Sequence, residues 1–404
     1  MLRLMEIDLL AARSFENGQP HDQFRWLREN APVHRHPEPE GPGFWAVTRH
    51  DDVRAVSRNH AVFSNEPTVM IADPEPLLDM GDARMMLMSD PPRHTRLRRL
   101  VAQSFTPKAA KAMAPRLAVL ARQIVDAVVE RGECDFVADV AGELPSYVIA
   151  ELMGLPLDDG RKLYRLTEVL HSAPESLSAG AQAQAGAEMF AYAAALLAEK
   201  KARPADDLAS RLIRSEIEGR RLSEMEFHLF FMLLIDAGGD TTRNLVAGGM
   251  LALLDEPEQM ARLTADPSRL LPAAREELLR FVSPVVYMRR TAKREAEIAG
   301  QAIAQGDKVV LYYGSANRDA DAFPDPDRLD IARTPNHHVA FGATGAHFCL
   351  GAKLARVEID AILHEVLTRM AGLELAEPPT WLTSNFISGP RRMPVRFRPG
   401  PRSA

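Results

Sequence analysis

The chain has 404 residues, of which 46% are hydrophobic, and a formal net charge of -6. This length and hydrophobic content allow a large buried core, and the negative charge argues against nucleic acid as the main partner. Two cysteines in so long a chain provide no disulfide framework, and no stretch approaches the roughly 20 apolar residues of a membrane span. We therefore expect a cytoplasmic protein without a membrane anchor.

The N-terminal part of the chain predicts a small sheet beside a helical body. Strands are expected around Val33 to His36 and Phe44 to Thr48, followed by a helix. Proline-punctuated helices then dominate, and no linker, low-complexity tract or internal repeat marks a domain boundary. The sequence therefore predicts a single, mainly α-helical domain over residues 1–404.

One long buried helix is predicted from Ser223 to Leu254, with a capping box of Ser223 and Glu226 at its start. At 1.5 Å per residue it is about 48 Å long. Its apolar residues extend nearly all round, but the run from Ala237 to Thr242 (AGGDTT) places glycines, an acid and hydroxyls inside it. Because each glycine costs about 1 kcal/mol relative to alanine, this patch indicates function. The alternative is a kink with a solvated or paired aspartate.

Cys349 lies in the run FGATGAHFCLGAKLAR, from Phe341 to Arg356. Gly345 permits a tight turn before the cysteine, and Gly351 leaves room for a flat ligand to approach. An amphipathic helix follows, so the cysteine stands at a helix N-terminus, where free amides favour the thiolate. A single thiolate without a second nearby cysteine is the ligand set of one class of haem enzymes, not of an ordinary zinc or iron–sulfur site. The alternative is a small buried hydrophobic residue, which is our interpretation of Cys134.

The motif G-x-H-x-C-x-G followed by Leu-Ala-Arg resembles the haem-binding loop of the cytochrome P450 family. The resemblance covers nearly the whole chain and implies the P450-type fold, which is mainly α-helical with a small β-rich subregion. It also implies haem b as cofactor, with the Cys349 thiolate as the proximal iron ligand. Phe341 stands eight residues before the cysteine, one more than is usual. This longer loop is similar to that of bacterial members that hydroxylate sterol side chains, terpenoids or branched alkyl chains.

The polar patch of the long helix is similar to the distal signature of the family, in which an acid and an alcohol deliver protons to dioxygen. The resemblance implies that Asp240 is the proton-relay acid and Thr241 the alcohol. It also implies that the small side chain of Ala237 lets the haem approach the helix.

Basic residues in three segments match the contacts that the family makes to the two haem propionates. His94 and Arg98 are four residues apart and share one face of a predicted helix. Arg290 occupies the arginine position of the R-x-A segment of the family, and His347 stands two residues before the cysteine. Such groups form charge-assisted hydrogen bonds with carboxylates, whereas a solvated surface charge is the alternative for any one of them.

Glu277 and Arg280 form an E-x-x-R pair, three residues apart on one predicted helix. The run from Asn317 to Ile331 resembles the proline-rich segment of the family that folds back on this pair, with Arg328 as its third member. The resemblance implies that the three side chains have a structural role in holding the cysteine loop.

The regions that form the substrate pocket in the family are largely apolar here. The first of these regions, Val69 to Met88, is rich in methionines, whose adaptable side chains predict a bulky, flexible hydrophobic substrate. The alternative is that these methionines belong to an ordinary core. The expected pocket residues are Met85, Leu233, Val285, Val286 and Phe386. The alanine-rich segment from His171 to Ala187 suits a mobile lid.

The resemblance implies a monooxygenase that inserts one atom of dioxygen into a C–H bond of a hydrophobic small molecule, such as a sterol side chain, a terpenoid or a fatty-acyl chain. No electron-transfer domain is attached, so we expect electrons from a ferredoxin and its NAD(P)H-dependent ferredoxin reductase. A basic face that suits an acidic carrier is built from Arg99, Lys108, Lys111 and Lys353. A peroxide-driven peroxygenase and a non-catalytic haem sensor are the alternatives, which the acid–alcohol pair disfavours.

Overall fold

The computed structural model describes residues 7–39, 41–74, 83–172, 177–217 and 219–403. Helices dominate it, as the sequence predicts. The α-helices are α1 His21–Asn30, α2 His50–Arg58, α3 Arg93–Ala102, α4 Pro107–Asp126, α5 Glu143–Met153, α6 Leu157–His171, α7 Ala181–Ala202, α8 Leu208–Arg214, α9 Glu224–Leu254, α10 Pro257–Ala265, α11 Pro267–Val282, α12 Tyr313–Ala316 and α13 Ala352–Arg369.

The strands are short and form small sheets. They are β1 Val33–His36, β2 Phe44–Val47, β3 Phe63–Ser64, β4 Glu133–Asp135, β5 Glu216–Ile217, β6 Arg220–Arg221, β7 Tyr287–Ala292, β8 Ala296–Ile298, β9 Gln301–Ile303, β10 Lys308–Tyr312, β11 Glu374–Leu375, β12 Thr380–Trp381, β13 Pro390–Arg392 and β14 Pro394–Arg396. The largest sheet has the order β1-β2-β10-β7-β3, in which β10 runs parallel to β2 and antiparallel to β7. The predicted hairpin of β1 and β2 is confirmed.

The long helix α9 forms the centre of the helical body, where it packs against α5, α6, α7 and α11. Its predicted capping box is confirmed: the Glu226 N–H donates to the Ser223 hydroxyl at 3.1 Å, and the Ser223 N–H donates to the Glu226 carboxylate at 2.8 Å. Apolar side chains such as Phe227, Phe231 and Val246 bury it in the main core. None of the helices in the described ranges has the length and apolar character of a membrane span.

A buried ion pair connects α11 to the segment that leads to the cysteine loop. Glu277 and Arg280 are both fully buried and are joined by two hydrogen bonds of 2.8 Å. Arg280 also donates to the backbone carbonyls of Asn317, at 2.8 Å, and of Pro326, at 2.7 Å. The pair therefore holds the fold-back segment by its main chain.

The third member of this cluster is Arg333, and the prediction of Arg328 was wrong. Arg333 donates through Nε to both carboxylate oxygens of Glu277 at 3.1 Å, and Asn336 adds a bond of 3.0 Å. Arg328 is exposed and offers Arg280 only its backbone carbonyl, at 3.2 Å. The turn at residues 328–333 therefore brings the later arginine onto the carboxylate.

We predict that Glu277→Gln destabilises the protein by about 3–5 kcal/mol, because it leaves two buried guanidinium groups without their counter-ion. The matched control is Glu377→Gln, which removes an exposed pair with Arg392 and is expected to cost about 0–1 kcal/mol. Urea unfolding of both variants and the wild type measures the difference. Equal effects of the two substitutions would contradict a central structural role for Glu277.

Candidate active site

A cavity lies between α9 and the cysteine loop that precedes α13. Its wall also includes parts of α3, α5 and β7 and the segment at Phe386, and most of its side chains are apolar. The site residues expected from the sequence that line it are His94, Arg98, Leu233, Ala237, Thr241, Val285, Arg290, His347, Cys349, Gly351 and Phe386. Side chains from distant parts of the chain therefore meet around one space.

Two of the predicted pocket residues do not line this cavity. Successive residues of an extended chain face opposite sides, so Val285 faces the cavity while Val286 is fully buried in the core beside the sheet. Met85 precedes a short 3₁₀ helix, Met86–Met88, and packs against the helical core. Met86 and Leu87 line the cavity in its place.

Cys349 is half-buried in the cavity wall, two residues before Gly351, the N-cap of α13. Its N–H donates to the Phe341 carbonyl at 3.0 Å, and the amides of Gly351 and Ala352 hydrogen-bond to its sulfur. Burial raises the pKa of the thiol, and these amides and the charge of Arg98 offset the effect only in part. The amides at the helix terminus thus lower the pKa of the thiol, as expected from the sequence, but burial outweighs them. A cation at the sulfur would supply the missing stabilisation.

Glycines have two roles in the cysteine loop: they permit its backbone conformation, and they leave space beside the cysteine. Gly342 and Gly345 have φ angles of +78° and +153°, and a Cβ on Gly345 would lie 3.0 Å from the Ser57 carbonyl oxygen. Gly342 stands seven residues before the cysteine, where the family usually has the phenylalanine, and its left-handed backbone conformation favours glycine. A Cβ on Gly351 would meet nothing within 4 Å, so this position leaves open space for a flat ligand.

Four basic residues converge on one side of the cavity. The rings of His94 and His347 lie 4.1 Å apart between centroids, and Arg98 and Arg290 share the same wall. Burial and the nearby Arg98 lower the pKa of His94 to about 4, and burial lowers that of His347 further. Nδ1 of His94 and both ring nitrogens of His347 are buried without a hydrogen-bond partner.

None of these four side chains pairs with a carboxylate in the part of the chain that the structure describes. Because buried polar atoms normally have hydrogen-bond partners, this basic cluster is suited to an anionic ligand. The two carboxylates of a haem would satisfy it, and the open space at Gly351 and the thiol of Cys349 suit the ring and the iron. The residues present therefore fit a haem.

Thr241 is one of the polar residues of α9 that line the cavity, where it lies near Ala237. Its hydroxyl donates to the Ala237 carbonyl, one turn earlier, at 3.1 Å. Gly238 also lines the cavity, and a Cβ on it would make only an ordinary contact of 3.4 Å with a side chain of α5. Gly239 has a different cause, because a Cβ on it would lie 3.1 Å from the Tyr164 ring, so this glycine lets α6 approach α9 closely.

Asp240 lies behind the cavity wall and is paired with the last residue of α6. It is 1% exposed, and its Oδ2 is 2.6 Å from Nδ1 of His171. The other ring nitrogen, Nε2, is 3.0 Å from Asp236, one turn earlier on α9. Oδ1 of Asp240 has no hydrogen-bond partner and lies 3.9 Å from Arg243. His171 therefore bridges two carboxylates of α9.

Burial alone lowers the pKa of His171, but Asp236 and Asp240 outweigh burial and raise it to about 10. The sequence analysis did not identify His171 or Asp236 as site residues. Asp236 could have been found as a charge inside the apolar run FFMLLID, whereas nothing in the sequence pairs it with His171. Residues 173–176 of the expected lid lie outside the described ranges.

We predict that His171→Gln destabilises the protein more at neutral pH than at alkaline pH. The pKa of His171 rises from 6.5 to about 10 on folding, so its stabilising effect is complete below pH 6.5 and is lost as the pH rises through 10. Urea unfolding of the wild type and the variant across this window measures the change. His60→Gln, at an exposed position, is the control. A loss of stability that is independent of pH would contradict a charged bridge.

The family model for cytochrome P450 matches residues 162–372, which is more than half of the chain. A methyl-branched lipid omega-hydroxylase of Mycobacterium tuberculosis is 40% identical over 386 residues, which cover 93% of this chain and 90% of the relative. A steroid C26-monooxygenase of Rhodococcus jostii is 39% identical over 391 residues, which cover 94% and 82% of the two chains.

Among solved structures, a Mycobacterium marinum cytochrome P450, CYP268A2, in complex with pseudoionone is similar over 98% of this chain and 100% of its own, with a TM-score of 0.92 and 38% identity. The family resemblance and the fold class inferred from the sequence are thereby confirmed. The chain belongs to the cytochrome P450 family of haem-dependent monooxygenases.

Proposed function

We propose that this protein is a haem-thiolate hydroxylase of a hydrophobic lipid-like molecule and that it uses dioxygen and two electrons from a ferredoxin. The proposal rests on the convergence of Cys349, Thr241 and the four basic residues, which have no carboxylate partner among the described residues, on one largely apolar cavity. We further propose a single domain over residues 1–404 and a cytoplasmic location, in keeping with the two free cysteines.

The roles of the cavity residues follow from their chemistry. Cys349 would hold the haem iron through its sulfur, and His94, Arg98, Arg290 and His347 would hold the propionates by charge-assisted hydrogen bonds. Haem, when bound, supplies the activation of dioxygen for insertion into a C–H bond. The protein then has to orient the substrate and to deliver protons.

Proton delivery is assigned to Asp240 and Thr241. The Thr241 hydroxyl faces the cavity, and its bond to the Ala237 carbonyl fixes its oxygen towards that space. Asp240 lies one residue earlier, behind the wall, with one oxygen on His171. The carboxylate would therefore take protons from the α6 side and the hydroxyl would present them to the cavity. Asp240 must loosen its contact with His171 to do so.

Lipid-like substrates are supported by the wall and by the relatives. Leu233, Val285, Met288 and Phe386 give the wall its apolar character. The similar proteins are named for methyl-branched lipids and steroids, and one is bound to pseudoionone. A sterol side chain, a terpenoid and a branched fatty-acyl chain are therefore the first substrates to test.

A ferredoxin is proposed as the electron donor, with an NAD(P)H-dependent ferredoxin reductase. Lys353 is exposed on the first turn of α13, four residues after Cys349, and Arg99, Lys108 and Lys111 are exposed as well. Cations so close to the cysteine loop would attract an acidic carrier and shorten the path of the electron.

We predict that Thr241→Ala still consumes NAD(P)H and dioxygen but releases most of the electrons as hydrogen peroxide, because the hydroxyl that presents protons is lost. The measurement is the ratio of product formed to NAD(P)H consumed. Thr368→Ala is the matched control, since its hydroxyl also bonds to a carbonyl of its own helix, at 2.7 Å, but lies outside the cavity. Full coupling in Thr241→Ala would contradict the assignment.

The same assay separates the proposed function from its two alternatives. A monooxygenase forms product with NADH, ferredoxin and ferredoxin reductase, whereas a peroxygenase forms it with hydrogen peroxide and needs no redox partner. A sensor binds haem and ligand without forming product in either mixture.

A further inference from the structure

Asp236 is an ionisable residue in the largely apolar wall that α9 contributes to the cavity. It lies on α9 between Ile235, which is buried in the core, and Ala237, which faces the cavity. Its side chain remains 37% exposed, and it lines the same space as Leu233 and Phe386. A carboxylate at such a place is costly unless its oxygens have partners.

Within the described residues, only one carboxylate oxygen of Asp236 has a polar partner. Oδ1 is 3.0 Å from Nε2 of His171, whose ring also makes an edge contact with Phe386 at 5.9 Å. Oδ2 has no partner among those residues. The ion pair therefore fixes the carboxylate against α6 and leaves one acceptor towards the cavity.

The charges around Asp236 balance one another. Three carboxylates and three cations form a continuous series of contacts of 2.6–3.9 Å: Asp236, Asp240 and Glu168 with His171, Arg243 and Arg391. No excess of negative charge is left to attract an ammonium group, and a carboxylate on the ligand would be repelled by Asp236. The free oxygen is therefore suited to a neutral donor.

We propose that Asp236 is a specificity-determining residue that accepts a hydrogen bond from a neutral hydroxyl group of a hydrophobic substrate. The inference rests on the proposed function, since it concerns the ligand of the same cavity. Because the Asp236 side chain is 37% exposed, Oδ2 is accessible to water, and a purely apolar ligand would exclude that water without replacing its hydrogen bond. A hydroxyl on the ligand replaces it.

The position of the acceptor also orients the substrate. Asp236 lies at the junction of α6 and α9, next to the ring contact of His171 and Phe386. The hydroxyl of the substrate would lie at this junction, and the rest of the hydrophobic skeleton would extend along Leu233 and Val285.

The test compares ligands that differ only in the donor. A branched fatty alcohol and a hydroxysteroid are each compared with their methyl ether and with the hydrocarbon that lacks the oxygen. Calorimetry and the spin-state shift of the haem measure the dissociation constants for the wild-type holoprotein. We expect each alcohol that binds to do so about 10- to 100-fold more tightly than its ether.

Variants separate recognition from a structural role of the ion pair. Asp236→Leu should abolish the preference for the alcohol, whereas Asp236→Asn, which retains an acceptor oxygen, should keep part of it. Leu233→Val is the control, because it changes the shape of the same wall without changing its polarity. A role confined to holding His171 would lower stability in both Asp236 variants and leave the alcohol-to-ether ratio unchanged, which would overturn the proposal.

Failure of the proposed role of Asp236 can be distinguished from failure of the proposed function. If the carbon monoxide spectrum shows a haem-thiolate site but no alcohol in the panel binds more tightly than its ether, only the role of Asp236 is contradicted. If the haem-thiolate spectrum itself is missing, the proposed function fails first.

Discussion

The position of the cysteine loop depends on a fully buried ion pair. Glu277 and Arg280 are joined on one helix, and Arg280 uses its remaining donors on the carbonyls of the segment that folds back over it. Within that segment, the side chain of Asn317 accepts a bond of 2.7 Å from the Val339 N–H, ten residues before Cys349. A salt bridge far from any reacting atom thus fixes where the sulfur lies. Burial of the Glu277–Arg280 pair does not destabilise the fold, because each N–H group of Arg280 has a hydrogen-bond acceptor.

The distal side uses charge in a different way. The central helix α9 carries charged groups at the cavity, in Asp236, and behind its wall, in Asp240 and Arg243, and α6 supplies their counter-charges through His171 and Glu168. The contact of α6 with α9 is therefore electrostatic as well as apolar. Because His171 is the last residue of α6, the end of that helix is tied to both Asp236 and Asp240.

Local patterns in the sequence predicted those parts of the protein that local physics determines. The capping box at Ser223, the length of α9 and the glycine-bounded loop around Cys349 each depend on neighbours within one or two turns. Side-chain partners brought together by the fold were not predictable in this way. His171 and Asp240 are 69 residues apart.

Other predictions were wrong because the sequence does not show which of two nearby residues points towards the site. Arg328 and Arg333 both follow the proline-rich turn, and only its three-dimensional course decides which one meets Glu277. Val285 and Val286 differ by one position at the start of a strand, where a shift of one residue exchanges the cavity face for the core face. The pKa of the Cys349 thiol is a third property that the local sequence does not determine, because it depends on how deeply the folded chain buries the sulfur.

The role of Cys349 as haem ligand is best tested by the absorption spectrum of the reduced protein with carbon monoxide, recorded for the wild type and for Cys349→Ser. We predict a strongly red-shifted Soret band in the wild type that the substitution abolishes in folded protein. An unshifted band in the wild type, or a folded protein that takes up no haem, would contradict the assignment of Cys349 as the haem ligand.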